Sequence, residues 1–329
     1  MGGGPDAQLE DKLNLDMVPE ILDELARIGV SSIGLTGGEP MVRPDLVRAF
    51  VSAAALRGMI VGIETNATLL SAEDIDYLAE RCTSVSVSLD SLDPEYFDSF
   101  RNLPGAHSVV LRTIKALVNR GARVQVIMSV CLGNVAELGS LSRTLLTEFG
   151  VSSVKFNVVS PATRGKDLMS DPDVCVEVIQ RVIRFLRQTR DLYWGRLYSN
   201  VPMALLDFAA VPSACGFKRM MSILPDGSVS LCGTALQHPE LRVAVNRGNL
   251  GAAWANGSVF RQVREIEPRS VKGVCSICMF GRICANLCPA TVYDFYGSFF
   301  YSHPWCQMFY DKGLFPEKFV TASSEGARA

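Results

Sequence analysis

The sequence is short of histidine, of net charge and of long apolar runs, and each shortage narrows what the chain can be. Only three histidines occur in 329 residues: His107, His238 and His303. None stands at metal-ligand spacing from another, so a histidine-built metal centre is not expected, and the three read as turn or surface residues. The net charge of −2 supplies no field to attract a polyanion, so nucleic acid is not an expected partner. No apolar stretch reaches the length of a membrane span. The richest, residues 50–63, is interrupted by Arg57 and fits a helix-to-strand passage better. The opening Met1-Gly-Gly-Gly-Pro-Asp-Ala-Gln8 has neither a basic stretch nor an apolar one, which sets the expectation of a cytoplasmic protein.

Cysteine, in contrast, is plentiful. Ten cysteines in a long chain with no export signal favour metal binding or redox chemistry over a disulfide scaffold. Cys82, Cys131 and Cys175 lie in or beside apolar periodic segments and are expected to be core-filling thiols. The other seven crowd into the last third. Cys215 is followed after eleven residues by Gly227 and after four more by Cys232. Then comes Cys275-Ser-Ile-Cys278, five residues, Cys284, three residues, Cys288, and seventeen residues to Cys306. Short paired spacings bring thiolates to one point without long loop closures, as iron–sulfur or tetrahedral metal ligation requires. The array favours iron–sulfur ligation over structural zinc and over buried unligated thiols.

The first two-thirds of the chain alternates helix and strand, the pattern of a parallel α/β sheet or barrel. Asp16 is placed to cap a helix carrying Val18, Ile21, Leu22 and Leu25 at helical spacing. Strands are predicted over residues 31–36, 59–64, 83–89, 123–130 and 152–158. Helices are predicted from Pro44, after a Ser71/Asp74 capping box, over Ala106–Asn119, over 135–149 and from Pro172. Five strands preceded by a helix leave the sheet apparently missing its first strand, since a parallel barrel normally begins with one. Beyond about Gly195 the elements become short and rich in turns. The expected division is therefore 1–195 and 196–329.

On these residues a resemblance takes hold. The array from Cys215 to Cys306, with the turn Leu224-Pro-Asp-Gly227, resembles the SPASM extension of radical S-adenosylmethionine (radical SAM) enzymes. The resemblance implies two auxiliary 4Fe–4S clusters. Cys275, Cys278, Cys284 and Cys306 would hold one, and Cys215, Cys232 and Cys288 the other. It also implies a partial (β/α)6 TIM-like barrel. There, Thr36-Gly37-Gly38-Glu39-Pro40 follows a strand and looks like the GGEP motif that binds the amino group of S-adenosylmethionine, with Glu39 as its partner. Glu64-Thr65-Asn66 is similar to the TN pair of the next strand. Ser88 and Arg101 are similar in position to a serine and an arginine that contact S-adenosylmethionine in anaerobic sulfatase maturases. On local pattern alone, Gly37-Gly38 could be an ordinary turn, Ser88 a strand-end cap and Arg101 a solvated helix end.

Two departures shape the expected activity. The sulfatase maturases carry an aspartate after the cysteine matching Cys232, and this chain has Gly233, which argues against that reaction. No CX3CX2C motif, the ligand set of the catalytic 4Fe–4S cluster, occurs anywhere. The resemblance places that motif just before the helix at Asp16, so an N-terminally shortened frame is expected in preference to natural loss. The leading expectation is a radical SAM/SPASM enzyme that modifies a peptide or protein by hydrogen abstraction, with a tetrapyrrole as the lesser substrate and a ferredoxin or flavodoxin as reductant. The alternative is a non-catalytic iron–sulfur carrier or partner subunit. No catalytic residue is assigned.

Overall fold

The computed structural model describes residues 9–161, 165–207, 211–212, 216–233, 237–245, 248–284 and 288–321. Seven parallel strands form one sheet in chain order: β1 (Ser32–Leu35), β2 (Ile60–Thr65), β3 (Ser84–Ser88), β4 (Val124–Val130), β5 (Ser153–Val158), β6 (Leu197–Ser199) and β7 (Val211–Pro212). This is the parallel α/β sheet that the alternation predicts and the partial barrel that the resemblance implies. β1 is an edge and, among the described residues, pairs only with β2. β6 and β7 lie beyond Gly195 and extend the same sheet. The sequence reading missed them because strands of three and two residues carry no periodic signal.

Strand alternation gives the sheet two faces. Val61, Ile63, Val85, Val87, Val126 and Phe156 are almost wholly buried on one of them. On that face Phe156 meets Phe185 of the helix Pro172–Gln188 edge to face at 5.7 Å. The opposite face carries Glu64, Ser86, Ser88, Gln125, Lys155 and Asn157, all half-buried. That polar face is unlike the apolar filling of a closed barrel, and it leaves the concave side suited to a ligand.

Local chemistry explains most helix starts. Ser71 and Asp74 form the expected capping box: the Asp74 N–H donates to Ser71 Oγ and the Ser71 N–H to Asp74 Oδ2, each at 3.1 Å. Asp171 caps Pro172–Gln188 by accepting from the Asp173 N–H at 2.8 Å. Asp16 does not cap. It lies inside a 3₁₀ turn, Leu15–Met17, that runs straight into the helix Val18–Arg27. A residue already in helical backbone cannot fold its side chain back over the first amides. Residues 135–149 form a 3₁₀ turn, a short helix and a π-helical turn in place of one helix. The unexpected helix Pro94–Arg101 is capped by Asp93 and ended by Asn102 at φ +52°. It buries only Phe97, which leaves no periodic apolar stripe to read.

The last third is tied back onto the first helix. The Leu250 N–H donates to Glu24 Oε2 at 2.6 Å, and Glu24 is only 5% exposed. A hairpin of β8 (Ser222–Ile223) and β9 (Val229–Ser230) turns at Leu224-Pro-Asp-Gly227. There Gly227 adopts φ +84°, and Asp226 accepts from the Ser228 N–H at 3.0 Å, which fixes the turn. Among the described residues no helix is long and apolar enough to cross a membrane.

Candidate functional site

Glu39 stands at the C-terminal end of β1, where parallel sheets of this kind bind ligands. Its carboxylate is fixed by three donors from neighbouring segments. Oε1 accepts from Thr65 Oγ1 at 2.6 Å and from the Met41 N–H at 3.1 Å, and Oε2 accepts from the Asn66 N–H at 2.6 Å. The group is thus aimed by the end of β2 and keeps about one acceptor position to spare, as a carboxylate accepts about four hydrogen bonds. Gly37 adopts φ +151°, and a Cβ built at Gly37 or Gly38 meets no atom within 4 Å. The backbone before Glu39 therefore faces open space, a shape that fits a ligand approaching closely. Asn66 takes part through its backbone and caps its own turn through its side chain. Its Oδ1 accepts from the Thr68 N–H at 2.9 Å and from Thr68 Oγ1 at 2.7 Å, while its backbone amide serves Glu39.

Ser88 ends β3 half-buried on the concave face, alternating with the buried Val87 and Leu89. Arg101 is not a solvated helix end. Its Nε donates at 2.5 Å to Oδ2 of Asp90, a fully buried carboxylate two residues past Ser88. Asp90 Oδ1 also accepts from the Ser129 N–H at 2.8 Å, and Asn134 Nδ2 donates at 2.9 Å to both the Asp90 and Ser129 carbonyls. Asp90 and Asn134 were missed in the sequence, where the only signal was an aspartate directly after an apolar strand.

The cysteines separate into two kinds. Cys82, Cys131 and Cys175 are buried, and burial pushes the Cys82 and Cys175 thiols up to about 11, which makes them inert fillers. Four others are gathered. Cys275 sits in the turn Val274–Ser276, and its N–H donates to Ser302 Oγ at 2.8 Å. Cys306 is carried by the helix Pro304–Asp311. The hydrogen bond from the Cys306 thiol pulls Cys275 down to about 7 and holds Cys306 well above the usual range. Cys278 and Cys284 act on Cys306 through space as well, and burial pushes the Cys278 thiol up to about 11. Cys275, Cys278 and Cys284 thus all stand within electrostatic range of Cys306. No described cysteine forms a disulfide. Among the described residues no three donors close on a single ion.

Cys232 follows β9, and Cys288 opens the helix Pro289–Tyr296. Two contacts join that helix to the segment after Cys232. His238 Nε2 bonds Asp294 Oδ1 at 2.6 Å, and Tyr293 donates to Glu240 at 3.0 Å. Cys215 lies outside the described residues. The histidines also differ from expectation. His238 is paired, while His107 and His303 are buried, His303 so fully that burial lowers it to about 3.

Residues 5–137 match the family model of the radical SAM superfamily. The chain is 28% identical over 321 residues to the AdoMet-dependent heme synthase of Methanosarcina barkeri, covering 90% of this chain and 87% of that protein. It is 28% identical over 285 residues to the mycofactocin maturase MftC of Mycobacterium tuberculosis, covering 85% and 71%. Its fold matches that of Streptococcus suis SuiB crystallised with S-adenosylmethionine, with a TM-score of 0.67 and 16% identity over 91% of this chain and 72% of the other. That family match runs from the residues before the first helix to the loop after β4.

Proposed function

We propose that the chain binds S-adenosylmethionine at the C-terminal ends of β1 to β3 and carries two auxiliary iron–sulfur clusters, as part of a radical SAM enzyme that modifies a peptide. The observation that carries this reading is the Glu39 carboxylate, oriented by Met41, Thr65 and Asn66 beside the open Gly37-Gly38 backbone. A fixed carboxylate with an acceptor position still unused suits an ammonium group. Gly37 and Gly38 admit the ligand, Asn66 holds Glu39, and Ser88 and Arg101 face the same end of the sheet. When bound with a reduced cluster, S-adenosylmethionine supplies hydrogen-abstracting chemistry. The chain's own residues orient it and keep it against the concave face.

Cys275, Cys278, Cys284 and Cys306 would hold one cluster, and their chemistry fits. Four thiolates are the donor set of a 4Fe–4S cluster, and Cys275, Cys278 and Cys284 all stand within electrostatic range of Cys306. Cys232 and Cys288, with Cys215, would serve the second. The division near residue 195 is part of this reading, with β6 and β7 completing the sheet from beyond it. A small electron-transfer protein of the ferredoxin or flavodoxin kind would supply electrons. Peptide modification is supported by the maturase relative and by SuiB, which has been crystallised with its precursor peptide SuiA. The heme synthase likeness, spanning 90% of this chain, favours a second reading in which the substrate is a tetrapyrrole.

Equilibrium dialysis of S-adenosylmethionine against the full chain tests the central claim. Glu39→Gln keeps the shape but removes the charge, and is expected to weaken binding about tenfold or more, the worth of a charge-assisted hydrogen bond. Unchanged affinity in that variant would refute the assignment.

A further inference from the structure

Two polar groups on the concave face are explained neither by the fold nor by the S-adenosylmethionine site. On β5, Val154, Phe156 and Val158 are at most 2% exposed against the helices. Alternation therefore turns Lys155 and Asn157 onto the opposite face. The register sets Lys155 level with Ile127 and, across one more strand, with Ser88. Two strand spacings put the backbones of Ser88 and Lys155 about 10 Å apart. Asn157 is level with Ser129, one step nearer the mouth.

Lys155 is half-buried. Among the described residues no carboxylate lies within ion-pair distance of it, and no side chain or carbonyl takes its hydrogens. The other charged residue that the strands turn to this face, Glu64, is level with Ser86 and accepts from Thr36 Oγ1 at 3.3 Å. Among the described residues Asn157 Oδ1 is buried without a hydrogen-bond partner. A buried amide oxygen without a donor, and a half-desolvated ammonium without an anion, each cost free energy. Side by side on one strand, they call for one ligand that offers an anion and, next to it, an N–H or O–H.

We infer that Lys155 and Asn157 form the seat of a substrate carboxylate, Lys155 pairing with the charge and Asn157 Oδ1 accepting from the neighbouring donor. This rests on the proposal that the concave face is the substrate side of a radical SAM enzyme, and it narrows the substrate to molecules bearing a carboxylate. A peptide C-terminus supplies that chemistry, and so does a propionate arm of a tetrapyrrole. Lysine suits either, because its ammonium acts as a compact point charge without demanding two-pronged geometry.

Isothermal titration of the full chain with matched acid and neutral probes tests this. One pair is a short N-acetylated peptide with a free C-terminus and the same peptide amidated. The other is mesoporphyrin IX and its dimethyl ester. In the unaltered protein at least one acid is expected to outbind its neutral form about tenfold, as one ion pair supplies, and the pair that does so identifies the source. Lys155→Met should erase that preference and Lys155→Arg should keep it, while S-adenosylmethionine affinity changes less than about twofold in both. Glu39→Ala should do the reverse, weakening S-adenosylmethionine while keeping the acid preference, so failure of the cofactor reading is separable from failure of this one. The inference is overturned if neither acid outbinds its neutral form, or if Lys155→Met keeps the preference. It is equally overturned if Lys155→Met weakens S-adenosylmethionine as much as the acid, which would assign Lys155 to the cofactor's own carboxylate.

Discussion

Replacing Asp90 by alanine is expected to destabilise the protein by about 3 kcal/mol, measured as the loss in unfolding free energy in urea. Asp90 is fully buried and holds three segments at once. It accepts from Arg101 Nε at 2.5 Å and from the Ser129 N–H at 2.8 Å, and its carbonyl accepts from Asn134 at 2.9 Å. Removing the carboxylate strands a guanidinium that is 30% exposed and a strand-end amide. The cost of breaking a buried pair comes mostly from the partner left behind. Arg101→Met in the same chain should therefore recover part of the loss, with a coupling of about 1 to 2 kcal/mol between the two sites. Asp90→Asn keeps the shape and one acceptor oxygen but turns its NH2 toward the other donor, so it should recover only part of the loss. If Asp90→Ala stays within about 0.5 kcal/mol of the unaltered protein, as surface changes do, the tie does not hold β3, β4 and the helix Pro94–Arg101 together. Because Ser88 lies two residues before Asp90, the same variant should also weaken S-adenosylmethionine binding.

This tie shows where reading the sequence reaches its limit. β1 to β5 were legible because parallel strands buried beneath helices read as apolar β-branched runs, such as Val124, Val126 and Val130. β6 and β7 were not, because their place is set by pairing with β5 and not by their own few residues. The Ser71/Asp74 box was legible because capping is local. Arg101 drew notice by its spacing, but its partner was hidden, since Asp90 reaches it only after the helix Pro94–Arg101 folds back. His238 looked isolated for the same reason, because Asp294 is 56 residues away in sequence. Asn66 is legible as half of the Thr65-Asn66 pair, but its service to Glu39 runs through its backbone N–H, which any residue but proline carries. In the cysteine array the spacing carried the signal. Cys275, Cys278 and Cys284 reach Cys306 because the turn Val274–Ser276 packs on the helix Pro304–Asp311, with Ser302 as the link.

That packing makes Cys306→Ala the most informative single change in the last third of the chain. Anaerobically purified protein is expected to hold about eight irons and a matching amount of sulfide, with absorbance at about 400 nm, if both auxiliary clusters are present. Cys306→Ala should remove about four of those irons and about half of the absorbance, because it deletes the thiol within range of which Cys275, Cys278 and Cys284 all stand. Cys131→Ala is the control. Cys131 is as buried as Cys306, at 2% against 4% exposed, but it bonds Tyr96 at the end of β4 and has no expected iron. It should lose packing free energy while keeping its full iron. Ligation also joins the turn at Cys275 to the helix at Cys306, and binding to the folded state stabilises it by mass action. Cys306→Ala should therefore make residues 270–321 more readily cleaved by protease than the sheet, while Cys131→Ala should not. Full iron in Cys306→Ala, or an equal loss in Cys131→Ala, would show that these thiols do not hold a cluster. Zinc in stoichiometric amount without absorbance at about 400 nm would assign them to a structural zinc site instead.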